Sequence, residues 1–241
     1  KSLNDFHSYV KKSIITNNIN GENNVLDLGV GKGGDLNHMI DANVNMLVGI
    51  DSIFDNLSNV ENGMCNRILS RSVDKDVNLL TNMMVVWADV QKNIIDNSAG
   101  NDDLNKYYLD VLYGNITLDQ INNAKLRQFY NMGNVGSGFG FDLVSCQFAM
   151  HYFFKNTTTL DNFLNNVSKS LKSGGRFIGT CFDGKKVFEK LNYQDSIGSP
   201  KLWTITKLYN QLELLDNDTS LGYEIEVFNE SIGATIKEYL V

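Results

Sequence analysis

Short apolar runs alternate with amphipathic segments along most of the chain. The runs have the length of buried strands, and they lie at 25–28, 46–50, 83–87, 141–146 and 176–181. The segments around them carry apolar residues at helical spacing, most clearly at 5–15, 35–40, 54–70 and 160–171. Strands that alternate with helices form parallel β-α-β units. The pattern therefore predicts an α/β fold with a doubly wound, mainly parallel sheet.

Two of these helices have further local signals. In the first, Phe6, Tyr9 and Ile14 recur at helical spacing around lysines 11 and 12, which predicts a short amphipathic helix. The helix at 160–171 runs into Lys-Ser-Gly-Gly at 172–175, a sequence typical of a glycine C-cap before the fifth strand.

Composition and charge exclude several classes of protein. The chain has 241 residues, of which 42% are hydrophobic, enough for one sizeable core. With 21 basic and 28 acidic residues the net charge is −7, which disfavours broad binding to nucleic acid but permits capture of one small piece in a pocket. No apolar stretch is long enough to span a membrane. The polar start and the scattered Cys65, Cys146 and Cys181 predict a reduced, intracellular protein without a metal site.

A glycine-rich loop follows the first predicted strand. It reads Gly-Val-Gly-Lys-Gly-Gly from Gly29 to Gly34, and glycine permits both positive φ and close approach of a ligand. About twenty residues later the second strand ends at Asp51, where a carboxylate can accept two ribose hydroxyls. Loop and acid together predict an adenosine-containing cofactor. The alternatives are that the glycine loop is a tight turn that binds no ligand and that Asp51 is a surface acid at the end of a strand.

The residues around the loop favour S-adenosylmethionine over a dinucleotide. A dinucleotide loop seats a pyrophosphate, whereas here Asp35 follows the loop and an acid beside a pyrophosphate is unfavourable. S-adenosylmethionine has no phosphate, and its positive groups suit Asp27 in the first strand. Asp89, after the third strand, is placed to bind the adenine amino group. We expect the strand-end side chains to face one crevice, namely Asp27, Asp51, Asp89, Gln147 and Asp183.

The stretch between the third and fourth strands is too long for one connection. It has helical segments at 104–112 and 118–130 and a glycine-rich segment at 131–140. We interpret 98–140 as an insertion at the sheet edge within a single domain that spans 1–241. Its removal is expected to leave cofactor binding largely intact.

A second chemical motif follows the fourth strand. The segment 145–152 reads Ser-Cys-Gln-Phe-Ala-Met-His-Tyr, and Phe148 and His151 share a face if it forms a helical turn. A stacking ring beside an imidazole predicts a purine pocket. The alternative is that Phe148 is a core residue and His151 a capping residue.

Together these motifs resemble the signatures of the mRNA cap guanine-N7 methyltransferases. The resemblance covers most of the chain except 98–140, and the matching stretches are 6–15, 25–36, 145–152, 174–180 and 238–241. It implies a class I, Rossmann-like, S-adenosylmethionine-dependent methyltransferase fold. It also implies methyl transfer to N7 of the guanosine cap of mRNA.

The resemblance further implies roles by position. The residues expected to hold S-adenosylmethionine are Lys11, Gly29, Asp51, Asp89, Gln147 and Tyr152. The residues expected to hold the cap are His7, Lys32, Phe148, His151 and Glu238, with Glu238 accepting from the N1–H and amino group of guanine. Because guanine N7 has a free lone pair, no general base, covalent catalyst or metal is expected. Phe148, His151 and Glu238 are then orienting groups.

The chain departs from the family pattern at its end. The family continues with a helix and two further strands, so we expect the sheet to lack its last strands and the cap pocket one wall. Met150 stands where the family has a smaller residue, which is expected to reshape the pocket.

Two other functional classes stay open. A class I methyltransferase for another acceptor would share the loop, Asp51 and Asp89, but not 145–152 or Glu238. The second open class is a non-catalytic subunit that binds S-adenosylmethionine. By family analogy, capped mRNA is the expected partner, and other capping domains or an activating subunit are expected to assist. If the protein is viral, its expected location is the cytoplasm, in a virion or viral factory. If it is cellular, its expected location is the nucleus.

Overall fold

The computed structural model describes residues 3–19, 23–74, 82–230 and 233–241. In these ranges the helices are α1 (Leu3–Asn18), α2 (Leu36–Asp41), α3 (Phe54–Ser58), α4 (Met64–Asp74), α5 (Asp103–Tyr113), α6 (Ala124–Arg127), α7 (Thr157–Ser170) and α8 (Gly184–Leu191). The strands are β1 (Asn24–Leu28), β2 (Met46–Asp51), β3 (Met83–Trp87), β4 (Phe141–Gln147), β5 (Leu171–Thr180), β6 (Ser196–Ser199), β7 (Trp203–Lys207), β8 (Glu224–Asn229) and β9 (Ala234–Tyr239). Short 3-10 turns lie at Leu118–Gln120, Val135–Ser137, Met150–Lys155 and Asp218–Ser220.

The first five strands form one parallel sheet in the order β3-β2-β1-β4-β5. The chain winds outward from β1 to β3 on one side and from β4 to β5 on the other. The predicted α/β fold with a doubly wound parallel sheet is therefore confirmed, and the strand order reverses between β1 and β4.

Both faces of this sheet are covered by helices. Alternate residues of a strand point to opposite faces, so Leu26 and Val48 join one core while Val25 and Leu47 join the other. The first core is completed by residues of α5 and α7, and the second by Ile15 of α1, Met39 of α2 and Met64 of α4. The sheet is thus buried on both sides, as its continuous apolar runs predict.

A second sheet was not predicted. Strands β6 to β9 pair antiparallel in sequential order and pack with α8 around a third core that includes Phe188, Leu191 and Ile225. Its other face carries charged pairs such as Lys237 with Glu224, whose charged atoms are 2.6 Å apart. In the described residues these strands do not pair with β5, which is an edge strand of the parallel sheet.

Two local predictions were wrong, and a third element forms as predicted but with a different buried residue. The expected helix over 54–70 is two helices, because the Asn59 side chain accepts from the backbone at 61 and 62 and ends α3. Helix α1 forms, but Phe6 and Tyr9 are exposed, and Ile15 is its buried residue. Segment 172–175 is part of β5, where the register with β4 is irregular, and it does not form a helix C-cap.

Part of the segment 98–140 packs into the core of the parallel sheet. Its helix α5 contacts β3 and forms part of the crossover from β3 to β4. Leu109 and Leu112 of α5 are fully buried in the main core, and Phe129 is almost so. From this burial we expect removal of 98–140 to expose one face of the sheet, in contrast to the interpretation of the segment as an insertion at the sheet edge.

Leu112→Ala tests this assignment of 98–140 to the core. A fully buried leucine costs about 2–5 kcal/mol when cut to alanine, so we expect the free energy of unfolding to fall by that amount in a denaturant titration. The control is Leu118→Ala, whose side chain is 47% exposed and whose loss should cost less than about 0.5 kcal/mol. Equal small effects in both variants would restore the insertion interpretation.

Two further properties of the described residues bear on function. None of the described helices combines the length and the apolar character that a bilayer crossing requires. Over the same ranges, no group of three or more His, Cys, Asp or Glu side chains converges on a position for a metal ion.

Candidate active site

The carboxyl ends of β1, β2 and β4 meet at the edge where the strand order reverses, which is where open α/β sheets bind ligands. Gly29 leaves β1 there with φ +75°, and an added Cβ would lie 2.7 Å from the Cβ of Ala149. Glycine is thus required by the close passage of the loop after β4. That requirement comes from the protein's own packing and is separate from any ligand.

Asp51, at the end of β2, holds the glycine loop in place. Its Oδ2 accepts from the Gly31 N–H at 2.8 Å, and its Oδ1 accepts from the Ile53 N–H at 2.9 Å and the Asn56 amide at 3.1 Å. A carboxylate has about four acceptor positions. Three are in use, so about one is left for a ribose hydroxyl, fewer than the two that the sequence predicts.

Asp89 follows β3 on a loop that is held in place by a side chain of α7. Its Oδ1 accepts from the Gln91 N–H at 3.0 Å. The buried amide of Asn166, on α7, donates to the carbonyls of Val90 and Lys92 and accepts from the Ile94 N–H. All of the amide's hydrogen bonds in the structure go to this loop, so Asn166 sets the position from which Asp89 can act.

Gln147 and Phe148 are coupled through Thr180, which the sequence did not single out. The Thr180 hydroxyl donates to Oε1 of Gln147 at 3.0 Å, and the Phe148 N–H lies 3.0 Å from both the carbonyl and hydroxyl oxygens of Thr180. Phe148 has φ +53°, a strained conformation for a residue with a side chain. Thr180 therefore stabilises the turn that carries the Phe148 ring.

That ring borders a cavity of about 650 Å³. The cavity lies between α1, the turn after β4 and the antiparallel sheet. It brings together six of the residues predicted for the site, namely His7, Lys11, Phe148, His151, Tyr152 and Glu238. The ring centroids of His7 and Phe148 are 4.4 Å apart. Burial, and to a smaller extent Lys11, lowers the pKa of His7, so this ring is neutral at pH 7.

A buried histidine and a buried glutamate face each other inside the cavity. His151 Nε2 lies 3.3 Å from Oε1 of Glu238, and the two side chains are 5% and 11% exposed. Among the described residues neither His151 ring nitrogen makes a hydrogen bond. Burial, with the Glu238 and Asp51 carboxylates, raises the pKa of Tyr152 to about 12, so its phenol stays neutral. Donors and acceptors that lack partners in a buried place are poised for a ligand.

The cavity reaches toward two buried acids near the glycine loop. Lys11 of α1 lies 2.8 Å from Asp35. Burial raises the pKa of Asp27 to about 8, and the neighbouring Asp35 contributes. A buried acid that is neutral near pH 7 becomes easier to ionise when a cation binds beside it.

The other predicted residues do not line the cavity. Gly29, Asp51, Asp89 and Gln147 lie at or just after the carboxyl ends of the parallel strands. Lys32 is not among the residues that line the cavity, and its ammonium donates to the Asn62 amide oxygen at 2.9 Å. Asp183 is also absent from the cavity lining, and its carboxylate caps α8 by accepting from the Lys186 N–H. The cavity thus brings six of the predicted residues together, and the roles of all the predicted residues stay predictions.

Comparison with known proteins gives a family match over most of the chain. A family model described as "mRNA (guanine-N(7))-methyltransferase domain" matches residues 1–206.

Named relatives agree with this match. The "Probable mRNA-capping enzyme" of Acanthamoeba polyphaga mimivirus is 28% identical over 98% of this chain and 19% of its own length. The "mRNA cap guanine-N(7) methyltransferase" of Meyerozyma guilliermondii is 29% identical over 80% of this chain and 31% of its own. The chain therefore spans less than a third of either relative. Among solved structures, an S-adenosylmethionine-dependent methyltransferase from Clostridium acetobutylicum is 14% identical, with a TM-score of 0.49 over 97% of this chain and 72% of that one.

Proposed function

Because the chain belongs to the mRNA (guanine-N(7))-methyltransferase family, we propose that it transfers a methyl group from S-adenosylmethionine to N7 of the guanosine cap of mRNA. The observation that carries the proposal is the buried pair of His151 and Glu238 beside the Phe148 ring. These residues lie in a cavity that also reaches Lys11, at the glycine loop of the parallel sheet.

The side chains around the glycine loop fit S-adenosylmethionine. Its positive ammonium and sulfonium suit the buried acids Asp27 and Asp35, and its carboxylate suits Lys11. Asp51 offers its remaining acceptor position to the ribose, and Asp89 sits on the loop that Asn166 fixes for the adenine. When bound, S-adenosylmethionine supplies an activated methyl group.

The cavity fits guanine as the acceptor. The N1–H and the 2-amino group of guanine are adjacent donors, and Glu238 presents a buried carboxylate that accepts two hydrogen bonds. Phe148 offers a ring for stacking, and His151 lies beside the carboxylate. Adenine has an acceptor at N1, which would face the acceptor oxygens of Glu238. The Glu238 carboxylate therefore favours guanine over adenine.

The residues need only hold the two reactants in line. Guanine N7 has a free lone pair at neutral pH, so no proton has to be removed before it attacks the methyl group. Alignment of bound reactants can supply about 7–11 kcal/mol of the barrier. The carboxylate of Glu238 also stabilises the positive charge that guanine gains as the methyl transfers.

Methyl transfer to defined acceptors tests the proposal. The protein is incubated with S-adenosylmethionine labelled in the methyl group and, separately, with GpppA-capped RNA, the same RNA already methylated at N7, free GTP and a protein mixture. We expect incorporation into GpppA-capped RNA and none into the N7-methylated RNA. Incorporation into protein would favour a different acceptor, and cofactor binding without any transfer would favour a regulatory subunit.

Asp51→Asn should weaken the cofactor site. The change removes the charge but keeps one acceptor oxygen, so we expect affinity for S-adenosylhomocysteine to fall about tenfold, or roughly 1.5 kcal/mol. Calorimetric titration measures this, with Asp55→Asn, on the exposed side of α3, as the control. Unchanged affinity in a folded Asp51 variant would rule out the ribose assignment.

The proposal extends to partners. The match to an African swine fever virus mRNA-capping enzyme includes 97% of this chain but only 24% of that enzyme. We propose that it works beside other capping domains or with an activating subunit. In a virus this would be in the cytoplasm, and in a cell in the nucleus.

A further inference from the structure

The antiparallel sheet forms a long wall of the cavity, and most of that wall is apolar. Trp203, Ile205 and Val227 line the cavity along with Glu238, which is the one ionisable side chain that the described part of this sheet contributes. In the strand register Ile205 lies opposite Val227, and Glu238 lies opposite Ile225. All of these side chains are therefore on the same face of the sheet.

Trp203 and Glu238 occupy distant positions on this face of the sheet. Trp203 pairs with Asn229 and Glu238 with Ile225, so four residues along β8 and two strand spacings separate them. At about 3.4 Å per residue and 4.8 Å per strand, the distance between the Cα atoms of Trp203 and Glu238 is roughly 16 Å. A purine held by Glu238 spans less than half of this, which leaves the Trp203 end of the cavity for another part of the ligand.

The Trp203 ring is held in place by its neighbour. An added Cβ on Gly198 would lie 2.8 Å and 2.9 Å from two carbon atoms of the indole, so the ring packs directly on this glycine in β6. The side chain is half-buried and also packs against the third core, which lies on this same face of the sheet. A flat ring that is already fixed loses little entropy when a ligand stacks on it.

We propose that Trp203 stacks on the base of the nucleotide that follows the cap guanosine. This subsite rests on the proposed function, in which Glu238 holds the guanine. A triphosphate bridge joins the two nucleosides of a cap and separates their bases by more than a contact distance. Stacking on an aromatic ring tolerates any base, so the subsite favours a capped end over a free guanosine triphosphate without reading the RNA sequence.

The test compares two ligands that differ by the second nucleoside. Affinities for GpppA and for GTP are measured by calorimetry with S-adenosylhomocysteine present, for the wild type and for Trp203→Leu, Trp203→Phe and Tyr193→Ala. Leucine keeps an apolar side chain without a flat ring, and phenylalanine keeps a ring. Tyr193 is a 93% exposed aromatic outside the cavity and serves as the control.

We expect Trp203→Leu to weaken GpppA binding about 5- to 100-fold and to change GTP binding less than twofold. Trp203→Phe should recover most of the loss, and Tyr193→Ala should match the wild type. Equal losses for both ligands, or no loss for either, would overturn the subsite. Because calorimetry does not require turnover, a wild type that binds GpppA through Trp203 but transfers no methyl group would contradict the proposed function alone.

Discussion

Glu238→Gln is expected to lower kcat/KM for capped RNA by about 10²–10⁴-fold, the largest effect in the cavity. The carboxylate is buried, and we assign it two charge-assisted hydrogen bonds to guanine. Each such bond contributes about 1.5–3 kcal/mol. Glutamine turns one acceptor into a donor that opposes a donor of the base. Affinity for S-adenosylhomocysteine should stay within about threefold, or ~0.7 kcal/mol.

A matched control for this variant lies on the same sheet. Glu226→Gln makes the same chemical change on the opposite face of β8, across from Lys237 and outside the cavity. It should leave kcat/KM within about twofold, or ~0.4 kcal/mol. If both glutamine variants behave alike, or if Glu238→Gln weakens cofactor and cap binding equally, Glu238 does not hold the guanine.

His151→Ala is expected to lower methylation of capped RNA on the order of 100-fold, because misplacement of the acceptor by about 1 Å has that effect on rate. The imidazole lies between the Glu238 carboxylate and the rings of Tyr152 and Phe182. Its removal leaves space where guanine would otherwise be confined. Affinity for S-adenosylhomocysteine should again stay within about threefold.

The competing explanation is a structural histidine. It predicts that melting temperature, cofactor affinity and methylation fall together in His151→Ala. His38→Ala, which removes an imidazole from the end of α2 where it contacts Ser8, is the control for loss of a ring outside the cavity. A parallel fall of all three quantities, or unchanged methylation, would show that His151 does not position the acceptor.

The parallel sheet could be predicted because its signal is local. Its strands are apolar runs buried on both faces, and Asp51 and Gln147 end β2 and β4 as expected. The strands of the second sheet alternate between polar and apolar residues, as in Trp-Thr-Ile-Thr-Lys over Trp203–Lys207. That alternation was a usable signal and was missed.

Other parts of the site depend on contacts between distant residues. Thr180 couples Gln147 to Phe148 only because the register of β4 and β5 places Gln147 opposite Thr180. Glu238 was assigned by resemblance, and no local pattern shows that β9 carries it to His151. The burial of Leu112 within 98–140 likewise could not be predicted from the local sequence, since it depends on the packing of α5.

The central claim, that the cavity presents guanine N7 to the methyl donor, is tested most directly by changing that one atom. RNA capped with guanosine is compared with the same RNA capped with 7-deazaguanosine, which keeps the N1–H and amino group but has carbon in place of N7. We expect both caps to bind with similar affinity and only the first to be methylated, giving 7-methylguanosine on digestion. Equal transfer to both caps, or a methyl group found on any other nucleoside, would contradict it.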